Sequence, residues 1–262
     1  MRVEWVAPDW PAHAGVRALS TVRSGGVSLA PYASLNLGDH VGDVPEAVAE
    51  NRRRLVVEAG LPAEPLWLSQ VHGITVANLD VPTSATPTAD AAFTRRPGTV
   101  CAILTADCLP VLLADDSGVV VAAAHAGWRG LAGGVIEATV GSLGVAPARL
   151  LAWLGPAIGP EHFEVGAEVR EALLQEDSGA EGAFVLNARG RFMADLGALA
   201  RRRLAALGVT RMYGGGRCTH AEPRRYFSHR RDGMTGRQAT LIWLEARERE
   251  AATQGLGSGS RR

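Results

Sequence analysis

The side chains best suited to chemistry in this 262-residue chain are its thiols and imidazoles, because both are few. There are three cysteines, Cys101, Cys108 and Cys218, and seven histidines, His13, His40, His72, His125, His162, His220 and His229. Of these, His72, Cys108 and His125 each fall where a strand-like run ends beside glycine or proline. Side chains from separate strands can converge there at one rim of a sheet. Two imidazoles and one thiolate suit zinc. Their separations of 36 and 17 residues match no zinc-finger spacing, which disfavours a closed four-ligand structural site and leaves an open site with three protein ligands. The same atoms allow a second chemistry, with Cys108 as nucleophile and His125 or His72 as its base. Spacing does not separate ligand from nucleophile, and a Cys in an apolar run also reads as a small core residue.

Other chemistries are excluded by residue type. All 27 basic residues are Arg and none is Lys, which removes Schiff-base chemistry, PLP attachment and a P-loop lysine together. A multicopper centre needs many histidines, commonly as His-x-His pairs, and no such pair occurs. Zinc deaminases of the cytidine type require His-x-Glu followed by Pro-Cys-x-x-Cys, and no Pro-Cys-x-x-Cys follows either His-x-Glu of this chain.

The elements that must position these groups read as a mixed α and β pattern. Residues 45–60 carry Val48, Leu55, Val56 and Ala59 on one helical stripe, with Asp43 as the expected cap. Arg52 lies on that stripe and is expected either to pair with a carboxylate or to aim at an anion, for which a guanidinium offers a bidentate match. Runs at 66–71 and 74–79 read as strands broken at His72-Gly73. Runs at 99–104 and 111–114 flank a turn from Ala106 to Pro110, and 118–124 reads as a strand leading through His125 into a helix ending near Gly144. Strand 150–154, two amphipathic helices and strand 209–213 follow. The chain then reads as an antiparallel pair, 226–230 with 238–244, across a turn sequence.

Apolar residues at 47% and charged residues at 21% are those of a folded domain with a sizeable core. The expected organisation is a single α/β domain over 1–250, with β-sheets flanked by helices, and a disordered Gly/Ser-rich tail at 251–262. Acidic and basic residues balance at 27 each, so no nucleic-acid or membrane partner is expected. Pro8, Asp9 and Pro11 interrupt any secretory leader, and the odd cysteine count disfavours a disulfide framework, giving a cytoplasmic expectation. Trp67, Trp128 and Trp153 are expected in the core rather than stacked on a ligand.

Several motifs together carry a resemblance. They are Ser69-Gln70-Val71-His72-Gly73, Thr105-Ala106-Asp107-Cys108-Leu109-Pro110, Ala124-His125-Ala126-Gly127-Trp128-Arg129-Gly130 and Gly155-Pro156-Ala157-Ile158-Gly159-Pro160, with Asn51-Arg52 and Phe227-Ser228-His229-Arg230-Arg231-Asp232-Gly233 toward the ends. Over roughly residues 15–245 the chain resembles the YfiH family, also called the laccase-domain, multicopper polyphenol oxidase or peptidoglycan editing factor family. Where members of that family often have Tyr, this chain has His229, so no role is carried over to it. The resemblance implies a mixed α/β domain and a zinc, with copper as an alternative metal, held by His72, Cys108 and His125. It implies a purine nucleoside phosphorylase acting on adenosine, inosine and methylthioadenosine with phosphate, with adenosine deaminase activity, and as alternatives a Cys-His amidase editing peptidoglycan precursors or a copper-dependent phenol oxidase. In this reading Arg52 is the expected phosphate clamp, Arg129 and Arg230 are weaker substrate-binding candidates, and Asp107 is a supporting residue that orients a ligand.

Overall fold

The structure, a computed structural model, describes residues 2–82 and 85–246. The expected disordered tail at 251–262 lies outside the described residues. In chain order the strands and α-helices are β1 (Trp5–Val6), β2 (Val16–Thr21), α1 (Pro45–Glu58), β3 (Val76–Asn78), β4 (Ala91–Thr94), β5 (Val100–Thr105), β6 (Leu109–Asp115), β7 (Val121–Ala126), α2 (Trp128–Gly133), α3 (Val135–Ser142), β8 (Leu150–Leu154), β9 (Glu164–Val165), α4 (Ala167–Glu176), β10 (Phe184–Leu186), β11 (Phe192–Ala194), α5 (Leu196–Ala206), β12 (Arg211–Gly214), α6 (His229–Asp232) and β13 (Gln238–Leu244). They form a four-stranded sheet in the order β1-β2-β13-β5, a six-stranded sheet β12-β8-β6-β7-β4-β3, and a small sheet β10-β11-β9. The fold is mixed α/β, as expected. No helix among the described residues is long and apolar enough to cross a membrane.

Side-chain alternation explains the layering. Val111 and Leu113 of β6 pack with Leu131, Ile136, Val169 and Leu204 of α2 to α5. Their neighbours Leu112 and Ala114 face the other way, joining Cys101, Ile103 and Ile242 between the two larger sheets. Beyond that seam, Val100, Ala102 and Leu104 of β5 pack with Leu55 of α1. Strands β5, β6, β7 and β13 are therefore buried on both faces, which is why their sequences are nearly continuous apolar runs. The order of layers is α1, four-stranded sheet, six-stranded sheet, α2 to α5.

Several expected boundaries shift, each for a local reason. Asp43 does not cap α1: Val44 is the N-cap residue, and the Asp43 carboxylate instead accepts from Ser28 Oγ at 2.6 Å and Asn36 Nδ2 at 2.9 Å. The helix expected to end near Gly144 is two helices, broken at Gly134, whose φ of 97° suits glycine. Residues 66–71 form only isolated bridges at Leu66 and Ser69, and the second run shortens to β3. The 226–230 segment is not a strand. Its backbone at Phe227 is met by a side chain, with Phe227 N donating to Gln238 Oε1 at 2.9 Å and Gln238 Nε2 donating to Phe227 O at 3.2 Å. The backbone of β13 is already paired on both sides by β2 and β5.

The hairpin β6–β7, which carries two site residues, is closed by Asp115. Its buried carboxylate accepts from Val119 N at 2.6 Å, Val120 N at 3.2 Å, Ser117 Oγ at 2.6 Å and Arg149 Nη2 at 2.8 Å. Burial would push this carboxyl up, but the donors outweigh burial and hold it below the ordinary carboxylate range. A carboxyl depressed in the folded state stabilises above its unfolded pKa of about 3.9 and loses that contribution as pH falls toward the folded value. Asp115→Asn is therefore expected to lower stability at pH 7 by about 1–3 kcal/mol and to flatten the loss of stability below about pH 4, as read by denaturant melts across pH.

Candidate metal centre and active site

Two strand ends and a loop, where a strand end was expected at His72, bring the predicted trio together. The alternation that sends Leu112 and Ala114 of β6 into the seam between the sheets gives Cys108, just before that strand, the same parity. On β7 the parity of Val121 and Ala123 puts His125 on that seam too, where Pro110 pairs with it across the ladder. His125 is thus the fifth residue of a strand, and the junction with α2 is at Gly127. His72 comes from the loop between Ser69 and β3. Its Nε2 is 3.9 Å from Cys108 Sγ, and its ring meets the His125 ring edge-on at 4.8 Å. The three potential ligand atoms lie within 4.8 Å of one another, graded from buried His125 through half-buried Cys108 to exposed His72.

Asp90, which the sequence reading missed, organises this group. It is fully buried, one residue before β4, and accepts from His72 N at 2.9 Å, Val71 N at 3.1 Å and Gly73 N at 2.6 Å. His125 Nδ1 lies 2.8 Å from Asp90 Oδ1, and His125 N donates to Asp90 O at 2.7 Å. A proton on Nδ1 facing the carboxylate leaves Nε2 free to ligate, the arrangement expected behind a metal-bound imidazole. The donors to Asp90 also explain why 66–79 is not two regular strands: the N–H groups of residues 71–73 turn onto a carboxylate instead of a ladder. His72 is held there at φ 60°, a left-handed backbone that few non-glycine residues adopt. The available signal was the aspartate preceding the apolar run of β4, beside a strand that pairs with β7.

Asp107, expected to orient a ligand, acts on the Cys108 backbone and is hydrogen-bonded to neither imidazole of the trio. Its Oδ1 accepts from Thr219 Oγ1 at 2.6 Å, its Oδ2 from Arg230 N at 2.7 Å, and its carbonyl from Ile158 N at 2.9 Å. These bonds hold a φ of 101° and so fix the backbone that presents Cys108. Gly127 clears the other side: a Cβ there would lie 2.9 Å from Cys108 Sγ and 3.2 Å from His72 Cδ2.

The electrostatics couple these residues. Burial would raise the Cys108 thiol, but the charge and hydrogen bond of His125, with His72 behind them, outweigh it and pull the thiol below its ordinary value. Burial would lower His125, but Cys108 and Asp90 outweigh it and raise the imidazole. Burial likewise opposes ionisation of Asp90, and its donors win. A thiolate, two imidazoles and a buried carboxylate behind one of them fit a three-ligand metal centre with an open position.

Among the described residues none of the expected arginines is hydrogen-bonded to a side chain of this trio. Arg52 donates from Nε and Nη2 to Leu37 O at 3.0 and 2.9 Å, pairs with Asp39 at 3.3 Å and covers the Trp67 ring at 4.3 Å. With Gln70 it lines a neighbouring cavity of about 640 Å³. Arg129 is exposed over Trp128, and Arg230 donates to Glu164 O and covers Phe163. Trp153 is buried, with Nε1 on Asp9, while Trp67 and Trp128 are only partly buried. His229 Nδ1 lies 2.7 Å from Gly233 O.

Fold and site together define a family. Residues 17–245 match the one described as multi-copper polyphenol oxidoreductase laccase, and the chain belongs to it. Its relatives include purine nucleoside phosphorylase PA4543 of Pseudomonas aeruginosa, 58% identical over 242 residues, covering 92% of this chain and 98% of that protein. Purine nucleoside phosphorylase YfiH of Escherichia coli K12 is 54% identical over 239 residues, covering 91% and 98%. The crystal structure of Neisseria meningitidis protein NMB0706 superimposes with a TM-score of 0.89 at 49% identity, covering 92% of this chain and 99% of that one. The resemblance to YfiH proteins read from the motifs is thus borne out.

Asp90→Asn is expected to weaken metal binding by about 10–100-fold, read by competition with a chelator. Gly127→Ala is expected to reduce metal affinity by about tenfold or more with little change in melting temperature, since its φ of −65° suits alanine and only the site is crowded.

Proposed function

We propose that this protein is a zinc-dependent purine nucleoside phosphorylase. It would cleave adenosine, inosine and methylthioadenosine with phosphate to the free base and the corresponding ribose or methylthioribose 1-phosphate, with adenosine deamination as a second activity. The observation that carries this reading is the convergence of His72, Cys108 and His125, with both histidines anchored on Asp90, in a chain 58% and 54% identical to proteins named purine nucleoside phosphorylase. In phosphorolysis a phosphate oxygen forms a bond to C1′ of the ribose as the bond from C1′ to purine N9 breaks. The electron pair leaves with the base, which takes up a proton. The site therefore needs a fixed anion, a fixed nucleoside and relief of the charge developing on the purine.

His72, Cys108 and His125 would hold the zinc, which when bound supplies Lewis acidity toward a polar atom of the substrate. The chain's own residues do the positioning. Asp90 keeps the His125 proton on Nδ1 and ties His72 to the same anchor, while Asp107 fixes the Cys108 backbone. Arg52 would grip a phosphate through its Nε and Nη2 edge only by giving up bonds to Leu37 O and Asp39, so we assign it to walling the adjoining cavity, with Arg129 and Arg230 as outer substrate contacts. The three cysteines are free, which supports a reducing compartment such as the cytoplasm.

One observation favours a second reading. Cys108, His125 and Asp90 also have the order of a thiol, its base and the carboxylate behind the base, so a Cys-His amidase acting on a peptidoglycan precursor is the alternative. Copper-dependent phenol oxidation ranks below both, because one metal-ligating group of this kind converges among the described residues and a multicopper centre needs several ions.

Mass spectrometry of products from zinc-loaded protein and adenosine is expected to find adenine and ribose 1-phosphate only when phosphate is present, and inosine from deamination. Cys108→Ala should slow turnover by about tenfold or more, about 1.4 kcal/mol of barrier. Unchanged adenosine, together with peptide cleavage that survives chelation and stops on alkylation of Cys108, would replace this reading with the amidase.

A further inference from the structure

Arg237 immediately precedes β13, whose first residue, Gln238, pairs with Thr105, the last residue of β5. The chain leaving β5 runs through Ala106 and Asp107 to Cys108. Arg237 and Cys108 thus depart from adjacent strands at the same end of one sheet. The Arg237 backbone N donates to Asn36 Oδ1 at 2.8 Å, and its stem lies against Gly38, where a Cβ would be 2.8 Å from Arg237 Cγ. The 36–39 segment that touches Arg237 is the same one that binds Arg52 through Leu37 O and Asp39.

The guanidinium is half-buried, yet its protein partners are two carbonyls, Thr235 O and Gly236 O, both 3.1 Å from Nη1. Among the described residues Nε and Nη2 have no hydrogen-bond partner, and neither is sealed from solvent. The inward arginines Arg52, Arg203 and Arg231 each pair with a carboxylate, whereas Arg237 forms no ion pair among the described residues. Burial lowers its pKa, and the charges of Cys108 and Asp107 work against that lowering. Next to it Thr235, and across the ladder Thr105, each bury a hydroxyl with no partner. A partly desolvated guanidinium with an open Nε and Nη2 edge is matched to two oxygens of one oxyanion.

We propose that Arg237 is the anion-binding residue of the site, and that its Nε and Nη2 take two oxygens of inorganic phosphate beside Cys108. The identity of the anion rests on the phosphorylase reading, whereas the presence of an oxyanion site at Arg237 does not. The test compares wild type, Arg237→Gln and Arg237→Lys, by calorimetric titration with inorganic phosphate and by kinetics with phosphate and inosine varied in turn. Arg237→Gln is expected to raise the KM and Kd for phosphate by about tenfold or more while the KM for inosine moves by less than about threefold. Arg237→Lys, which keeps the charge but not the fork, should fall between, at an unchanged melting temperature. Phosphate constants within about threefold of wild type in both variants, or equal rises in both KM values, would overturn the proposal. Wild type that binds phosphate but does not phosphorolyse, with binding lost in Arg237→Gln, keeps the anion site and removes the phosphorylase reading. Wild type that phosphorolyses while Arg237→Gln retains its phosphate constants does the reverse.

Discussion

The buried carboxylate of Asp90 is the constraint on which the centre depends. An ionised carboxylate without water is costly unless every lone pair is met, and here three successive backbone N–H groups and one imidazole meet them. That satisfaction has two structural consequences. It winds residues 71–73 into a tight loop that sets His72 beside Cys108, and it fixes the ring orientation of His125 on β7. Two of the three candidate ligands are therefore referred to a single anchor.

The anchor works because of where the sheets end. Stacking a four-stranded sheet on a six-stranded one leaves a seam whose interior is filled by small and medium side chains such as Cys101, Ile103, Ala123 and Ile242. At its rim the apolar filling stops and His125 and Cys108 take its place with unchanged parity. Burial falls from His125 to His72, so the base of the site is dry and its mouth is wet. This gradient suits a centre that must hold an ion firmly yet admit a substrate. Asp107 and Gly127 complete it from opposite sides, one by holding a strained backbone and the other by having no side chain.

A chain whose every basic residue is Arg uses the guanidinium in several ways, and the structure sorts them. Arg52, Arg129 and Arg230 lie on aromatic faces, where the ring quadrupole attracts the cation. Arg149 and Arg203 pair with carboxylates. Among the described residues Arg237 does neither, which sets it apart from the arginines that motif spacing brought forward. The family's description mentions several copper ions, whereas the ligand chemistry found among the described residues is that of one mixed nitrogen and sulfur centre.

Sequence alone determined the chemical inventory. The scarcity of thiols and imidazoles, their placement at strand ends and the lack of lysine narrowed the centre to His72, Cys108 and His125, and apolar periodicity recovered α1, β5, β6, β8 and β13 closely because those runs are buried in regular elements. Tertiary structure decided what depends on residues distant in the chain. Asp90 lies 35 positions from His125 and bonds to it only because β4 and β7 pair, and no local pattern carries that register. The segment 226–230 has the composition of a strand, but β13 already has a neighbour on each side, so Gln238 meets Phe227 with a side chain instead. Arg52 reads as an inward anion clamp on its helical stripe and Arg237 as one basic residue in a turn. Their roles separate only when the partners of each guanidinium are known, because a charge is defined by what surrounds it, and folding brings those surroundings from across the chain.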